Sequence, residues 1–177
     1  MADPEQLTRR ALIQVSLAAT VAAPGVERGS AAGPALKFFS PDEFAMLDEL
    51  AEIIIPADDH SPGARAAGVA AYLDGRLAET IEEERKREWH EGLKRVDTLA
   101  REMHRVPFMQ ASPEQRVALL SRISRNESSP QTPEERFFVE LKSRTADAYY
   151  SSKIGIHQEM EYKGNVLLPG FVGYELK

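Results

Sequence analysis

The sequence has no cysteine at all. That excludes disulfides, thiolate nucleophiles, cysteine zinc sites, iron–sulfur ligation and the C-x-x-C-H attachment of c-type haem. Stability has to come from packing, and any redox chemistry has to sit in another chain. Phosphate-cradling loops are missing as well: neither G-x-G-x-x-G nor G-x-x-x-x-G-K-[ST] occurs, so no dinucleotide or nucleoside triphosphate site is visible. No G-x-S-x-G or comparable nucleophile context is present. Apolar runs are short, well below the ~20 residues that span a bilayer. No stretch alternates apolar and polar residues between turn signals, which excludes much sheet. The net charge of −6 argues against nucleic acid as a partner.

What is present begins at the N-terminus. Thr8-Arg9-Arg10 precedes Ala11 to Ala23, where Leu12, Ile13, Val15, Leu17 and Val21 stand among alanines and Thr20-Val21-Ala22 offers small residues for cleavage. This is the layout of an export signal of the twin-arginine type over residues 1–24, with Arg9 and Arg10 as targeting residues. Leu12, Ile13 and Gln14 replace the usual Phe-Leu-Lys. An ordinary secretory signal and a cytosolic N-terminal helix are the other readings. Twin-arginine export carries folded proteins, and a chain with no cofactor motif would use it when travelling with a partner that has one. The expected location is the periplasm or cell envelope.

Residues 25–37, rich in Gly, Ala and Ser, read as a linker, and the folded domain is expected over 38–177. Ser40-Pro41-Asp42-Glu43 combines a capping hydroxyl, proline at the first helical position and glutamate three residues after the cap, flanked by Phe39 and Phe44. The device recurs as Ser112-Pro113-Glu114-Gln115 and Thr132-Pro133-Glu134-Glu135, marking helices near 112–124 and 132–151. Between them, Val69, Tyr72, Leu73, Leu77 and Ile81 fit one helical face, and Trp89, Leu93, Val96, Leu99 and Met103 fit another. Glu82 to Arg87, charged throughout, reads as a solvated helix end with local ion pairs. The expectation is an all-α domain of about five helices. An irregular tail rich in Gly, Pro and aromatics follows Tyr150, too apolar for a solvated linker, and packs on its own domain or on a partner.

One loop concentrates polar side chains: Ile55-Pro56-Ala57-Asp58-Asp59-His60-Ser61-Pro62-Gly63. Its two carboxylates and imidazole suit a structured turn, a recognition loop or, least well, a metal or catalytic site. His104 and His157 read as structural or solvated imidazoles, and neither they nor His60 and His90 have a partner at metal-ligand spacing.

The stretch from Phe38-Phe39-Ser40-Pro41 through Ile54-Ile55-Pro56-Ala57-Asp58-Asp59 to Ala67-Gly68-Val69 resembles the gluconate 2-dehydrogenase subunit 3 family. So does the tail, with Tyr149-Tyr150-Ser151-Ser152-Lys153-Ile154-Gly155-Ile156-His157, Tyr162-Lys163-Gly164-Asn165 and Pro169-Gly170-Phe171. Family members often carry a cysteine near the end, where this chain has Gly173-Tyr174, so no role of that cysteine passes to it. The resemblance implies a small subunit with no cofactor and no catalytic residues of its own. The expected partner is a large FAD-binding dehydrogenase of the glucose-methanol-choline oxidoreductase family, joined in some complexes by a cytochrome c subunit carrying haem, with membrane contact only through the complex. The expected partner surface comprises Ile55, Pro56, Asp58, Asp59, His60, Tyr149, Tyr150, Ile154, Gly155, Tyr162, Gly164, Asn165 and Phe171. A free-standing helical binding or structural protein of the envelope is the alternative.

Overall fold

A computed structural model describes residues 35–164. The leader with Arg9 and Arg10, most of the linker, and the tail positions Asn165 and Phe171 lie outside the described residues. Five α-helices follow in order: α1 (Pro41–Ile54), α2 (Val69–Glu79), α3 (Glu83–His104), α4 (Pro113–Ile123) and α5 (Pro133–Tyr150). A 3-10 turn, Phe108–Gln110, separates α3 from α4, and a π-helical turn, Gly155–Glu159, follows α5. There is no strand among the described residues. The all-α expectation holds, and the start of the tail, expected to be irregular, winds instead into the π-helical turn.

All three capping boxes form. Ser40, Ser112 and Thr132 each accept from the backbone N–H three residues on, and Glu43, Gln115 and Glu135 reach back to the cap N–H, with proline opening each helix. α3 lacks a side-chain cap, and its first turns carry the expected pairs Glu83–Lys86, Glu84–Arg87 and Glu82–Arg85. Such exposed pairs add only a few tenths of a kcal/mol each.

α5 is the hub, touching each of the other four helices. Its Phe137, Phe138, Leu141, Thr145, Ala148 and Tyr149 recur at helical spacing and are all buried. They meet Leu47 and Leu50 of α1, Leu93 and Val96 of α3 and Leu119 of α4 in one core. Trp89 stands edge-on to Phe137 with centroids 5.6 Å apart. α3 and α5 approach closely at Gly92, where a Cβ would fall 2.1 Å from the Phe137 ring.

The start of the fold is fixed by one buried carboxylate. Asp74 of α2 is 4% exposed and accepts from three consecutive amides, Lys37 N at 2.8 Å, Phe38 N at 3.0 Å and Phe39 N at 2.9 Å. Burial by itself would raise its pKa, but the amides of Phe39, Lys37 and Phe38 and the Lys37 charge outweigh that and hold it below the usual carboxylate range. Lys37 therefore belongs to the folded domain rather than to the linker.

Two predictions follow from these buried polar groups. A depressed carboxylate contributes stability that is complete above its ordinary pKa and is lost as pH falls through the folded value. Asp74→Asn should cost about 2–3 kcal/mol in denaturant unfolding at neutral pH. The variant's stability should fall less than the wild type's on acidification, and equal acid limbs would count against the assignment. Thr145 is fully buried and its Oγ has no partner among the described residues. Thr145→Val keeps the shape and removes that unpaired group, so it should leave the melting temperature unchanged or raise it, by up to about 1 kcal/mol of stability.

Candidate functional site

The loop between α1 and α2 is built from the end of α1 outward. Ile55 closes the helix by donating its N–H to Ala51 O at 2.9 Å, and Pro56, without an N–H, turns the chain away. Asp58 then folds the loop on itself, its Oδ1 accepting from His60 N and Ser61 N at 2.9 Å each while its own N–H bonds Ser61 O at 3.0 Å. Short side chains that bond their own backbone make such turns. The segment Pro56 to His60, including Asp59, is exposed.

Two struts, one buried and one half-buried, hold this exposed turn. Tyr149 of α5, 1% exposed, donates its hydroxyl to Pro62 O at 2.7 Å, and Ser61 Oγ lies 2.5 Å from the Tyr149 hydroxyl oxygen. With the Tyr149 proton committed to Pro62, Ser61 is the donor in the second bond. On the other side, Glu52 of α1 accepts from Arg65 N at 2.8 Å and Ala57 N at 3.4 Å. Gly63 packs into that cradle, where a Cβ would come 2.4 Å from Glu52 Oε1 and 2.6 Å from Ala57 N. Gly68 then takes the left-handed conformation, φ +72°, to start α2.

The tail turn docks on the same loop. Gly155 sits so close to Tyr149 that a Cβ would lie 2.1 Å from Tyr149 O, and its N–H bonds Ser152 Oγ at 3.0 Å. Ile154 packs half-buried against the core. His60 Nε2 reaches Glu159 O at 3.1 Å, joining loop to tail across the fold. That backbone bond raises the His60 pKa against a small loss from burial, with the charges of Glu159, Glu161 and Asp58 adding to the rise. His157 Nδ1 lies 3.3 Å from Tyr162 O, inside the turn. Tyr150 is 43% and Tyr162 49% exposed, and Gly164 follows with φ +93°.

The structure thus brings Ile55, Pro56, Asp58, Asp59, His60, Ile154, Gly155, Tyr149 and Tyr162 to one end of the domain. Tyr149 and Gly155, expected on the partner surface, are buried, because the hydroxyl of one and the missing side chain of the other are used to hold loop and tail. Sequence reasoning missed Glu52, Ser61 and Gly63 as the supports. Only Gly63, in a Pro-Gly turn, carried a local signal.

Elsewhere, His90 Nδ1 bonds Glu43 Oε1 at 2.7 Å beneath the Phe38 ring, 4.4 Å away. Both line a cleft of about 760 Å³ between α1 and α3, whose apolar walls include Met46, Leu93, Pro107 and Met109. His104, read from the sequence as a structural or solvated imidazole, is half-buried with its Nε2 enclosed and without a hydrogen-bond partner among the described residues. No group of three or more His, Asp or Glu among the described residues is placed to hold a metal ion. No helix among them is long and apolar enough to cross a membrane.

Removing the Tyr149 hydroxyl while keeping the ring isolates its contribution. Tyr149→Phe leaves Ser61 Oγ and Pro62 O short of a buried partner and should cost about 1–2 kcal/mol by thermal or urea unfolding. It should also speed amide exchange across residues 57–61. Unchanged exchange there would show that the loop is held by something else.

The model of one family, described as Gluconate 2-dehydrogenase subunit 3, matches residues 41–170, from the first capped helix into the tail. No curated protein and no solved structure matches the chain. With the larger part of its 177 residues inside that match, the chain belongs to the gluconate 2-dehydrogenase subunit 3 family.

Proposed function

We propose that this chain is the small, non-catalytic subunit of a bacterial FAD-dependent sugar or sugar-acid dehydrogenase complex, escorting the flavoprotein through twin-arginine export and stabilising it. Family membership over residues 41–170 carries this reading. FAD belongs to the large subunit, of the glucose-methanol-choline type, and haem, where a complex has it, to a cytochrome c subunit. The chain itself holds no cofactor. Its working location is the periplasm or cell envelope.

The geometry of the loop supports the same reading. Pro56 to His60 stand in solvent, yet the backbone beneath them is fixed by Tyr149, Ser61 and Glu52. A surface whose conformational entropy is already spent binds a partner at lower cost than a loose one. Ile55, Tyr150, Tyr162 and the loop are the contact residues in this proposal, with the tail positions Asn165 and Phe171 extending it. A partner that binds only the folded flavoprotein stabilises it by RT ln(1 + [L]/Kd), about 2.7 kcal/mol at a hundredfold excess over Kd.

Co-expression with the flavoprotein encoded beside this chain, and purification through a tag on this chain, tests the proposal. The expected product carries a flavin spectrum that bleaches when the cognate sugar or sugar acid is added. A colourless, partner-free protein would favour a free-standing helical envelope protein. In cells, Arg9→Lys with Arg10→Lys should retain the flavoprotein in the cytoplasm, read by activity in the periplasmic fraction. Undiminished export of both chains would remove the escort role.

A further inference from the structure

Polar contacts, more than burial, hold the tail turn in place. From Gly155 to Tyr162 only Gly155 is buried, so apolar packing contributes little to its position. Its backbone ladder is short: Ile156 N–H bonds Ser152 O at 2.9 Å, Met160 N–H bonds Gly155 O at 2.9 Å and Tyr162 N–H bonds Ile156 O at 3.0 Å. The turn closes at Glu161, whose φ of +50° is a left-handed conformation that residues with a side chain rarely adopt. A segment with exposed hydrogen bonds, little buried apolar surface and a strained closing residue is among the first parts of a fold to open.

Two imidazoles meet carbonyl groups of this turn. His157 lies within it, with Nδ1 3.3 Å from Tyr162 O. His60 comes from the α1–α2 loop, 99 positions away, and places Nε2 3.1 Å from Glu159 O. A carbonyl oxygen only accepts, so this bond needs a proton on His60 Nε2. Neutral imidazole has one N–H to share between its two nitrogens, whereas imidazolium presents an N–H at both. Ionised donors also make hydrogen bonds about twice as strong as neutral ones. The charged groups acting on the ring are Glu159 and Glu161 from the tail turn and Asp58 from its own loop, all three carboxylates, and exposed Asp59 precedes it in the chain. Lifting the turn away takes the carbonyl and two of those carboxylates from the ring, which couples the position of the turn to the proton.

We propose that His60 is a protonation-dependent latch: as imidazolium it clamps the tail turn to the α1–α2 loop, and as neutral imidazole it lets the turn lift off. The bond to Glu159 O, helped by the three carboxylates, outweighs the opposing effect of burial and raises the His60 pKa from its ordinary 6.5. A group whose pKa is raised in the closed form stabilises that form below the open-form pKa and ceases to do so above the closed-form one. The latch is therefore closed below 6.5 and loosens as pH climbs through the raised value. For the flavoprotein contact, a consequence that rests on the escort reading above, loop and tail form one patch on the acid side and part on the alkaline side.

The test uses the full chain without a partner. The His60 ring is titrated by NMR, and amide exchange at Ile156, Met160 and Tyr162 is followed over the same pH range, corrected for the intrinsic base-catalysed rate. His60 should titrate above 6.5, and protection of the three amides should fall as pH rises from 6.5 through that midpoint. Linkage ties the two sizes together: protection changes tenfold for each pH unit between the measured midpoint and the ordinary value. His60→Gln keeps an N–H donor for Glu159 O but does not titrate, so its protection should be flat with pH. Glu161→Gln should lower the His60 midpoint. Both positions are exposed, and melting curves like the wild type's at neutral pH check that the variants fold. A wild-type His60 that titrates at or below 6.5, or wild-type protection that is flat with pH, would overturn the latch. A pH dependence that survives in His60→Gln would overturn it too and pass the role to another group, His157 first. No step involves the flavoprotein, so either result leaves the escort reading to its own test.

Discussion

The hydroxyl of Tyr149 connects the core of this domain to its candidate contact surface. The ring is packed at the end of the hub helix, so its position is set by the same burial that holds the helices together. From there the oxygen gives one hydrogen bond to Pro62 O and receives one from Ser61, and these two bonds define where the exposed turn before them stands. The same residue's carbonyl leaves no room for a side chain at Gly155, so the tail turn is laid against it as well. Loop and tail thus take their positions from one buried side chain, and the His60 contact to Glu159 closes the ring between them.

How legible this was in the sequence depends on the range of each interaction. Capping is a conversation between residues three apart, so Ser40 with Glu43, Ser112 with Gln115 and Thr132 with Glu135 could be read directly, and three helix starts came out within a residue. Helical periodicity placed α2 and α3 for the same reason. The struts were not readable. Ser61 and Tyr149 are separated by 88 positions, and nothing local distinguishes a serine that bonds a distant tyrosine from one that merely favours a turn. Asp74 was equally silent: an aspartate within an amphipathic helix reads as solvent-facing, and only the arrival of Lys37 to Phe39 over it gives the carboxylate its three donors. The helical-face reading also put Ile81 with the buried positions, whereas the helix ends at Glu79 and the residue leaves the face it would have joined.

That same loss of helical register explains the exposure of Ile81. Thr80 turns the chain with extended dihedrals and returns its hydroxyl to Arg76 O, so Ile81 is carried outward by backbone geometry and not by a lack of apolar neighbours.

Lack of cysteine sharpens the question of what closes the long loops of this domain. A disulfide would act chiefly by restricting the unfolded chain; here the long-range ties are polar and act only in the folded state. Asp74 ties residue 39 to a position 35 residues away, Glu49 and Arg116 join α1 to α4 across 67, and His60 and Glu159 meet across 99. The first is buried, the second half-buried and the third exposed, so the ties run from the core out to the surface. Such ties form without an oxidant, so the domain can complete its fold in a reducing compartment. That is a condition the proposed escort, carried folded by the twin-arginine route, would have to meet.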